Sequence, residues 1–433
     1  MSDLPAGWSE TALSAIADLR LGKMLDRARN KGVLMRYLRN INVRWGAFDL
    51  SNVGELRLEP EESRQLSIQD GDVLVCEGGE PGRCAVWRGN AEALTFQKAI
   101  HRVRLSDGLM PALLAYQLRD DALGGRLMPY FTGSTIRHFT GQSLARYSVK
   151  VPPLAEQKRI ADKLDKLLAR IDACQGRLEI AKGLLRDFRT AVLHSAVTGV
   201  LSAAWRDNQN SSAWTECVVG DVGAVSGGLT KNARRDTMQL KRPYLRVANV
   251  HANRLDLEDV ALIGGTEDEF NKTRLDVGDL LIVEGNGSLG QVGRVAMWCG
   301  ELPACSHQNH LIRWRAGPHV LPKFVLYWLM SPIGRQALMD RASSSSGLHT
   351  LSISKIRSLP ISIPALAEQA EIVRRIEMLL AWADAAGSRL ASAASQVSNL
   401  PSAALAKAFR GELVPQDPSD DPAQAMLDRL ASR

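Results

Sequence analysis

"PLAEQKRI" at residues 153–160 is answered by "ALAEQAEI" at 365–372, a shift of 212 positions. Both stretches follow a proline and open an apolar pattern of helical period. A segment repeated at that distance marks a duplicated unit rather than a short motif. The same shift superposes Glu156 on Glu368, Gln157 on Gln369, Ile160 on Ile372, Leu167 on Leu379, Leu178 on Leu390, Leu193 on Leu405 and Gly199 on Gly411.

Upstream the match continues with small changes of register, as loop insertions require. "YLRNINV" (37–43) pairs with "YLRVANV" (244–250), "DGDVLVCEG" (70–78) with "VGDLLIVEG" (277–285), and "FQKAIHRVR" (96–104) with "HQNHLIRWR" (307–315). Trp8 is answered by Trp214. The order is the same in both copies, so the chain reads as globular, helical, globular, helical.

The helical segments carry alternating steps of four and three. The first seam runs Leu164, Leu167, Ile171, Cys174, Leu178, Ala181, Leu185, Phe188, Val192; the second runs Ile372, Ile376, Leu379, Ala383, Ala386, Leu390, Ala393, Val397, Leu400, Ala404. Such a seam sustained over four heptads favours a coiled coil over a helix lying on its own domain. One seam is bulky and the other rich in alanine, so large side chains can enter small gaps. A tandem repeat with an approximate two-fold makes the helices antiparallel. Each helix, of about 45 residues, spans roughly 65 Å, a spacer's length. Proline suits the first helical turn, and Glu156 and Glu368 sit near the positive end of the helix dipole. Gln157 and Gln369 have no such explanation and are read, with the two glutamates, as facing a partner. Pro401 is expected to kink or interrupt the second helix.

The globular halves read as short strands, a glycine-containing hairpin, and helical pattern between 107 and 127 and between 321 and 339. Each half is therefore mixed α/β on a curved, mostly antiparallel sheet, and the whole is α+β.

The chain has 433 residues, long enough for two to four domains, with 45% apolar and 23% charged residues. A net charge of +7 and a pI near 9.1 lean toward an anionic partner, most often nucleic acid. The six cysteines form no C-x-x-C pair and read as reduced, buried small residues. The N-terminus has neither the basic flank nor the apolar core of a signal peptide, and no apolar run is long enough to span a bilayer. A soluble, cytoplasmic chain without membrane contact is expected.

Motifs for chemistry are scarce. "GNGSLG" (285–290) has dinucleotide-binding spacing but is followed by strand-forming residues and glycine, which favours a hairpin. No phosphate-binding loop ends in Gly-Lys-Ser/Thr, no HExxH occurs, and the histidines lack metal spacing, so no metal site is expected. The Asn/Asp-Pro-Pro-aromatic motif of amino methyltransferases is missing, and no carboxylate cluster suggests a nuclease. No catalytic residue is assigned.

Basic and polar material recurs at matched places. One loop offers Lys23, Arg27, Arg29, Lys31, Arg36 and Arg39, and its counterpart Lys231, Arg234, Arg235, Lys241, Arg242 and Arg246. Such loops suit phosphate contacts, although a charge run is as often a solvated face. Gln97, His101, Gln308 and His310 adjoin apolar strands, where they reach base edges or cap turns. In "FTGSTIRHFT" (131–140) and "SSSSGLHTLS" (343–352), Ser134, Thr135, Arg137, His138, Ser345, Ser346 and His349 supply the donors and acceptors of groove reading, or an ordered polar connection.

The paired "YLRNINV"/"YLRVANV", "GDVLVCEG"/"GDLLIVEG" and "VPPLAEQKRI"/"IPALAEQAEI" segments, with the helix ends "AVTGVLSAAWR" (196–206) and "AFRGELV" (408–414), resemble the specificity subunit of type I restriction–modification enzymes over essentially the whole chain. The resemblance implies two target-recognition domains, 1–150 and 206–361, each reading part of a split double-stranded DNA target. It implies spacer helices at 151–200 and 362–412 that separate the domains and dock methyltransferase subunits, with a tail at 413–433. It places S-adenosylmethionine on the modification subunits, and ATP and Mg on those partners and a restriction (translocase) subunit, none on this chain. The two basic loops share little beyond charge, so an asymmetric bipartite target is expected. A self-contained DNA methyltransferase or nuclease with degenerate motifs, and a duplicated protein-binding scaffold without a DNA role, are the alternatives.

Overall fold

The computed structural model describes residues 4–26, 30–89, 94–209, 213–345 and 347–432. The chain forms two compact units, Met1–Leu178 with Ser392–Arg433, and Glu179–Ala391. Each unit holds one globular body, part of one long helix and part of the other.

The first body is organised by its central strand, Val73–Cys76, every residue of which is buried. A strand turns successive side chains to opposite faces. Accordingly Val73 and Val75 enter one core with Leu13, Val103, Leu118 and Tyr147, while Leu74 and Cys76 enter a second with Leu38, Leu58, Phe96 and Trp87. The "DVLVC" run is thus continuous because both faces of the strand are covered. Its sheet has the order Ala17–Leu21, Ile100–Leu105, Val73–Cys76, Cys84–Val86, antiparallel throughout. A second sheet, Gly54–Leu58, Val33–Leu38, Leu94–Phe96, covers the second core; its last pair is parallel. Helix Pro111–Leu123 covers the first core.

The second body repeats the plan. Leu280 and Ile282 enter one core, Leu281 and Val283 another. Its main sheet runs Gly223–Ser226, Leu311–Ala316, Leu280–Val283, Val295–Met297, and its second Ala261–Gly264, Lys241–Leu245, Ser306–His307. Two helices, Pro322–Met330 and Pro332–Arg341, stand in place of one.

In both bodies a two-stranded ribbon leads into the long helix: Ser9–Ala12 with Ser148–Val151, and Thr215–Val218 with Pro360–Ile363. The long helices are Leu154–Val197 and Leu366–Ala408. Their antiparallel pairing is visible within each unit. In the first, Ile160 and Leu164 bury against Leu405, Ala408 and Phe409. In the second, Phe188 meets Trp382 edge-on with ring centroids 5.3 Å apart, Arg189 pairs with Asp384 at 2.7 Å, and Leu185 packs on Gly387. Leu185 meets a small residue there, but it is Gly387 rather than an alanine of the second seam, and Phe188 against Trp382 sets bulk against bulk.

Two sequence expectations need correction. The second helix is not interrupted at Pro401, which lies buried inside a helix continuing to Ala408. Of the cysteines, only Cys76, Cys84 and Cys305 are buried, Cys174 and Cys299 being exposed and Cys217 intermediate; all six are free.

The tail is part of the first unit. Asp420 pairs with Arg159 at 2.5 Å, the Ala423 N–H donates to the Gly7 carbonyl, and Ala423 and Met426 complete the first core.

Candidate nucleic-acid interface

The repeated glutamates and glutamines do not face a partner. They are at most 2% exposed and act as internal clamps. Trp8 Nε1 donates to Glu156 Oε2 at 3.0 Å, and Glu368 Oε1 accepts from Ser202 Oγ at 2.7 Å, Arg206 Nε at 2.9 Å and Trp214 Nε1 at 3.1 Å. Gln157 accepts from the Met110 N–H and donates to the Pro152 carbonyl; Gln369 accepts from the Leu321 N–H and donates to the carbonyls of His319 and Pro364. The motif therefore fastens each domain to the start of its own long helix, which explains both its recurrence and the answering tryptophans. Burial raises the Glu156 pKa against the indole bond that lowers it.

Two other repeated polar features are also structural. Asn42 and Asn249, buried in the "YLRxxN" segments, each hold two carbonyls of the following loop, those of Asp49 and Asn52, and of Asp256 and Asp259. Arg39 and Arg246 each donate through Nη2 to the carbonyls of Asn52 and Asp259 beside them, so part of each guanidinium is engaged in its own loop. Asp72 and Asp279, each 1% exposed, are held by Arg104 and Arg315 through two hydrogen bonds apiece. The arginines at matching positions of "IHRVR" and "LIRWR" were the signal for that pair.

What remains polar and accessible is gathered on one face of each body by backbone hydrogen bonds. In the second body the Leu229 N–H donates to the His307 carbonyl and the Asn309 N–H to the Leu229 carbonyl, which places the basic loop beside Gln308 and His310. The Glu284 N–H donates to the His310 carbonyl and the Leu351 N–H to the Glu284 carbonyl. This brings in the hairpin of Ser343–Ser345 and Leu348–Thr350, whose second strand also pairs with Gly285–Asn286. Three segments far apart in sequence thus meet around a groove lined by Glu284, His310, Ser343, Leu348, Thr350 and Lys355. His310 Nδ1 lies 2.9 Å from Glu284 Oε2, and His310 is more than half exposed.

The first body is assembled in the same way. Lys23 bridges to Gln97, the Glu77 N–H donates to the Ala99 carbonyl, and the Phe139 N–H donates to the Glu77 carbonyl. The loop Thr132–His138, closed by mutual backbone bonds of its ends, comes to Gly78, with Asn40 donating to the Gly78 carbonyl from the other side.

Among the predicted readers, Ser134, Thr135, Arg137, His138, His310 and the moderately accessible Gln97, Gln308 and His349 lie on these faces. Arg137 is exposed but turned onto Met128 Sδ at 3.1 Å. His101 does not belong: it is 2% exposed, bonded to the Phe139 carbonyl, and pushed down in pKa by burial. Its ring supports the loop from beneath through that bond.

The basic set divides. Lys31, Arg36, Lys231, Arg234 and Lys241 are exposed and have no acidic partner among the described residues. Lys23 is paired with Glu62. Arg235 grips Glu269, the Gly264 carbonyl and the Thr230 carbonyl, and this arginine holds the Glu269 carboxyl down at about 2. Arg242 pairs with Glu267 and lies over the Phe270 ring. Arg235 and Arg242 thus brace the loop rather than present charge. Arg27, Arg29 and Ser346 lie outside the described residues; of Ser345 the backbone forms part of the hairpin.

A family model described as the type I restriction modification DNA specificity domain matches residues 7–181 and again 211–385, one match per repeat. The chain belongs to the DNA specificity subunits of type I restriction–modification enzymes. It is 31% identical to the EcoKI specificity subunit of Escherichia coli K12 and 30% to the StySPI specificity subunit of Salmonella potsdam, over 97% of this chain and 92% of each relative. Its fold is that of the HsdS subunit of Thermoanaerobacter tengcongensis (TM-score 0.59, 17% identity, 95% of this chain and 98% of that one). It is also that of a chain from a type I R-M system solved for its complex assembly and conformational transition (TM-score 0.65, 17% identity, 95% and 100%). As a specificity subunit the chain is the DNA-recognition component of its complex, not the catalytic one.

Proposed function

We propose that this specificity subunit reads an asymmetric bipartite duplex target, the domain of residues 1–150 taking one half-site and that of 206–361 the other. The observation that carries this is the pair of equivalent faces. The four backbone hydrogen bonds that join their segments are the same in both, yet the side chains they present differ, with Ser134, Thr135 and His138 on one and His310, Leu348 and Lys355 on the other. A common frame with different donors, acceptors and apolar groups suits two readers of different sequence.

The long helices act as the spacer and as the docking surface for methyltransferase subunits. In support, the helices of the second unit expose large apolar side chains, Ile180 and Leu184 on one and Met378 and Trp382 on the other, each more than half exposed. Large apolar side chains left exposed together on a helix surface suit a protein interface. S-adenosylmethionine, ATP and Mg would be bound by the methyltransferase subunits and a restriction/translocase subunit. No helix among the described residues is long and apolar enough to cross a membrane, and a cytoplasmic location fits a DNA target.

Charge reversal tests the reading. Lys231→Glu with Arg234→Glu should weaken binding to all sequences alike and lower the slope of log affinity against log salt by up to about 1.8, two phosphate contacts' worth. A protein-binding scaffold without a DNA role predicts no effect of these changes on any DNA affinity the chain shows. Methyl transfer by the purified chain alone would instead favour a self-contained enzyme.

A further inference from the structure

We propose that the second domain contains a pocket for a single phosphoryl group, formed by Arg294 and Arg335, and that a backbone phosphate of the bound DNA fills it. The source of the phosphate rests on the DNA-reading function above; the pocket itself does not.

The argument is a comparison between the two copies. Arg83 and Arg294 occupy the same place. Arg83 O accepts from the Cys76 N–H and Arg294 O from the Val283 N–H, each at 2.8 Å, at the end of the central strand. Beside them, the Gly46 N–H donates to the Cys84 carbonyl and the Asn253 N–H to the Val295 carbonyl; Gly46 and Asn253 both have positive φ, 73° and 54°. The frames therefore match residue by residue, and Trp45 corresponds to Ala252.

In the first domain this place is filled and neutral. The Glu80 carboxylate accepts from Trp45 Nε1 at 2.6 Å and from Arg83 Nη1 at 2.9 Å. In the second domain the indole is replaced by the methyl of Ala252 and the loop holds no carboxylate. An open cleft of about 250 Å³ results, lined by Ala252, Gln291, Arg294, Met330, Arg335 and His251. The Arg335 guanidinium donates to the Gly290 carbonyl at 3.0 Å and Arg294 Nη1 reaches Gln291 Oε1 at 3.5 Å; the Arg294 Nε is buried without a partner, as is that of Arg83. Neither forms an ion pair among the described residues, and burial alone lowers the Arg335 pKa. Two half-buried guanidiniums that share a cleft with no carboxylate beside them make it electropositive, and an anion is its fitting occupant. Glu80 shows where such an anion would sit. Guanidinium forks match phosphate oxygens, and the cleft opens beside the loop that carries Asn286 and adjoins the reading hairpin.

The test uses the full chain and inorganic phosphate, titrated by 31P NMR at constant ionic strength against chloride. The wild type should bind saturably. Arg335→Met and Ala252→Trp, the latter restoring the first domain's filling, should each weaken binding at least tenfold. The DNA arm measures affinity against salt: Arg335→Met should lower the slope by about 0.9, so that a fourfold rise in salt costs the wild type about 3.5-fold more affinity than the variant. Phosphate binding with an unchanged slope would overturn the DNA source and leave a free-phosphate site. Absence of saturable phosphate binding together with an unchanged slope would overturn the pocket. Failure of the wild type to bind DNA at all would count against the DNA-reading function, while the phosphate titration would still decide the pocket.

Discussion

Replacing His307 by phenylalanine should remove most of the acid sensitivity of the second domain. His307 is fully buried, with Nδ1 3.1 Å from the Thr273 carbonyl and Nε2 without a partner. Burial, reinforced by the nearby Arg313 cation, pushes its pKa from 6.5 down to about 3. The folded state therefore binds fewer protons than the unfolded state at every pH between those values. Stability is full above 6.5 and falls as pH drops through 6.5 toward 3. At pH 5 the unfolded-state protonation alone amounts to about 2 kcal/mol, whatever the folded value, provided that value lies well below 5. The first domain has Phe96 at the corresponding position, equally buried, so the fold accommodates the substitution. Losing the bond to Thr273 should cost about 1 kcal/mol at pH 8. Hydrogen exchange of peptides covering 306–316, read by mass spectrometry from pH 8 to pH 5 with the intrinsic rate removed, gives the local stability of each protein. The wild type should lose about 2 kcal/mol more than His307→Phe over that range. Parallel decline of the two would refute the reasoning, since it would mean that His307 is protonated in the folded chain.

Other outcomes follow from the clamps and the tail. Glu368→Ala strands three donors, one of them on the half-buried Arg206 guanidinium, and should destabilise the second domain by about 3 kcal/mol in urea unfolding; Glu368→Gln keeps an acceptor and should cost roughly half as much. Met426→Ala opens the seal between tail and first core and should cost about 2 kcal/mol, read as faster hydrogen exchange in residues 105–118 and unchanged exchange in 306–316.

The duplication was legible because helices and buried strands repeat their periodicity whatever the loops between them do. The "DVLVC"/"DLLIV" pair, buried on both faces, and the long helical seams carried most of the architecture. Side-chain roles were less accessible, since a charge or amide has the same letter whether it faces solvent or closes a turn. Glu156, Gln157, Glu368 and Gln369 looked like contacts and are clamps, because their donors, Trp8 and the N–H of Met110 for instance, lie far off in sequence. Arg39, Arg246 and His101 looked available and are engaged for the same reason. Pro401 failed to stop its helix, where packing of the surrounding turns against the partner helix outweighs one missing hydrogen bond. The Arg294–Arg335 cleft could be found only by overlaying the two copies in space, since the emptiness that defines it comes from Ala252 standing where Trp45 stands in the first domain.

The most direct test of the account is a binding selection from random duplex DNA with the chain co-purified with the methyltransferase subunits proposed to dock on it. Two short blocks of different sequence at a fixed gap are expected, with exchange of residues 1–150 for those of another specificity subunit altering one block alone. Recovery of no enriched sequence at low salt, or of a single continuous block altered by either domain, would contradict it.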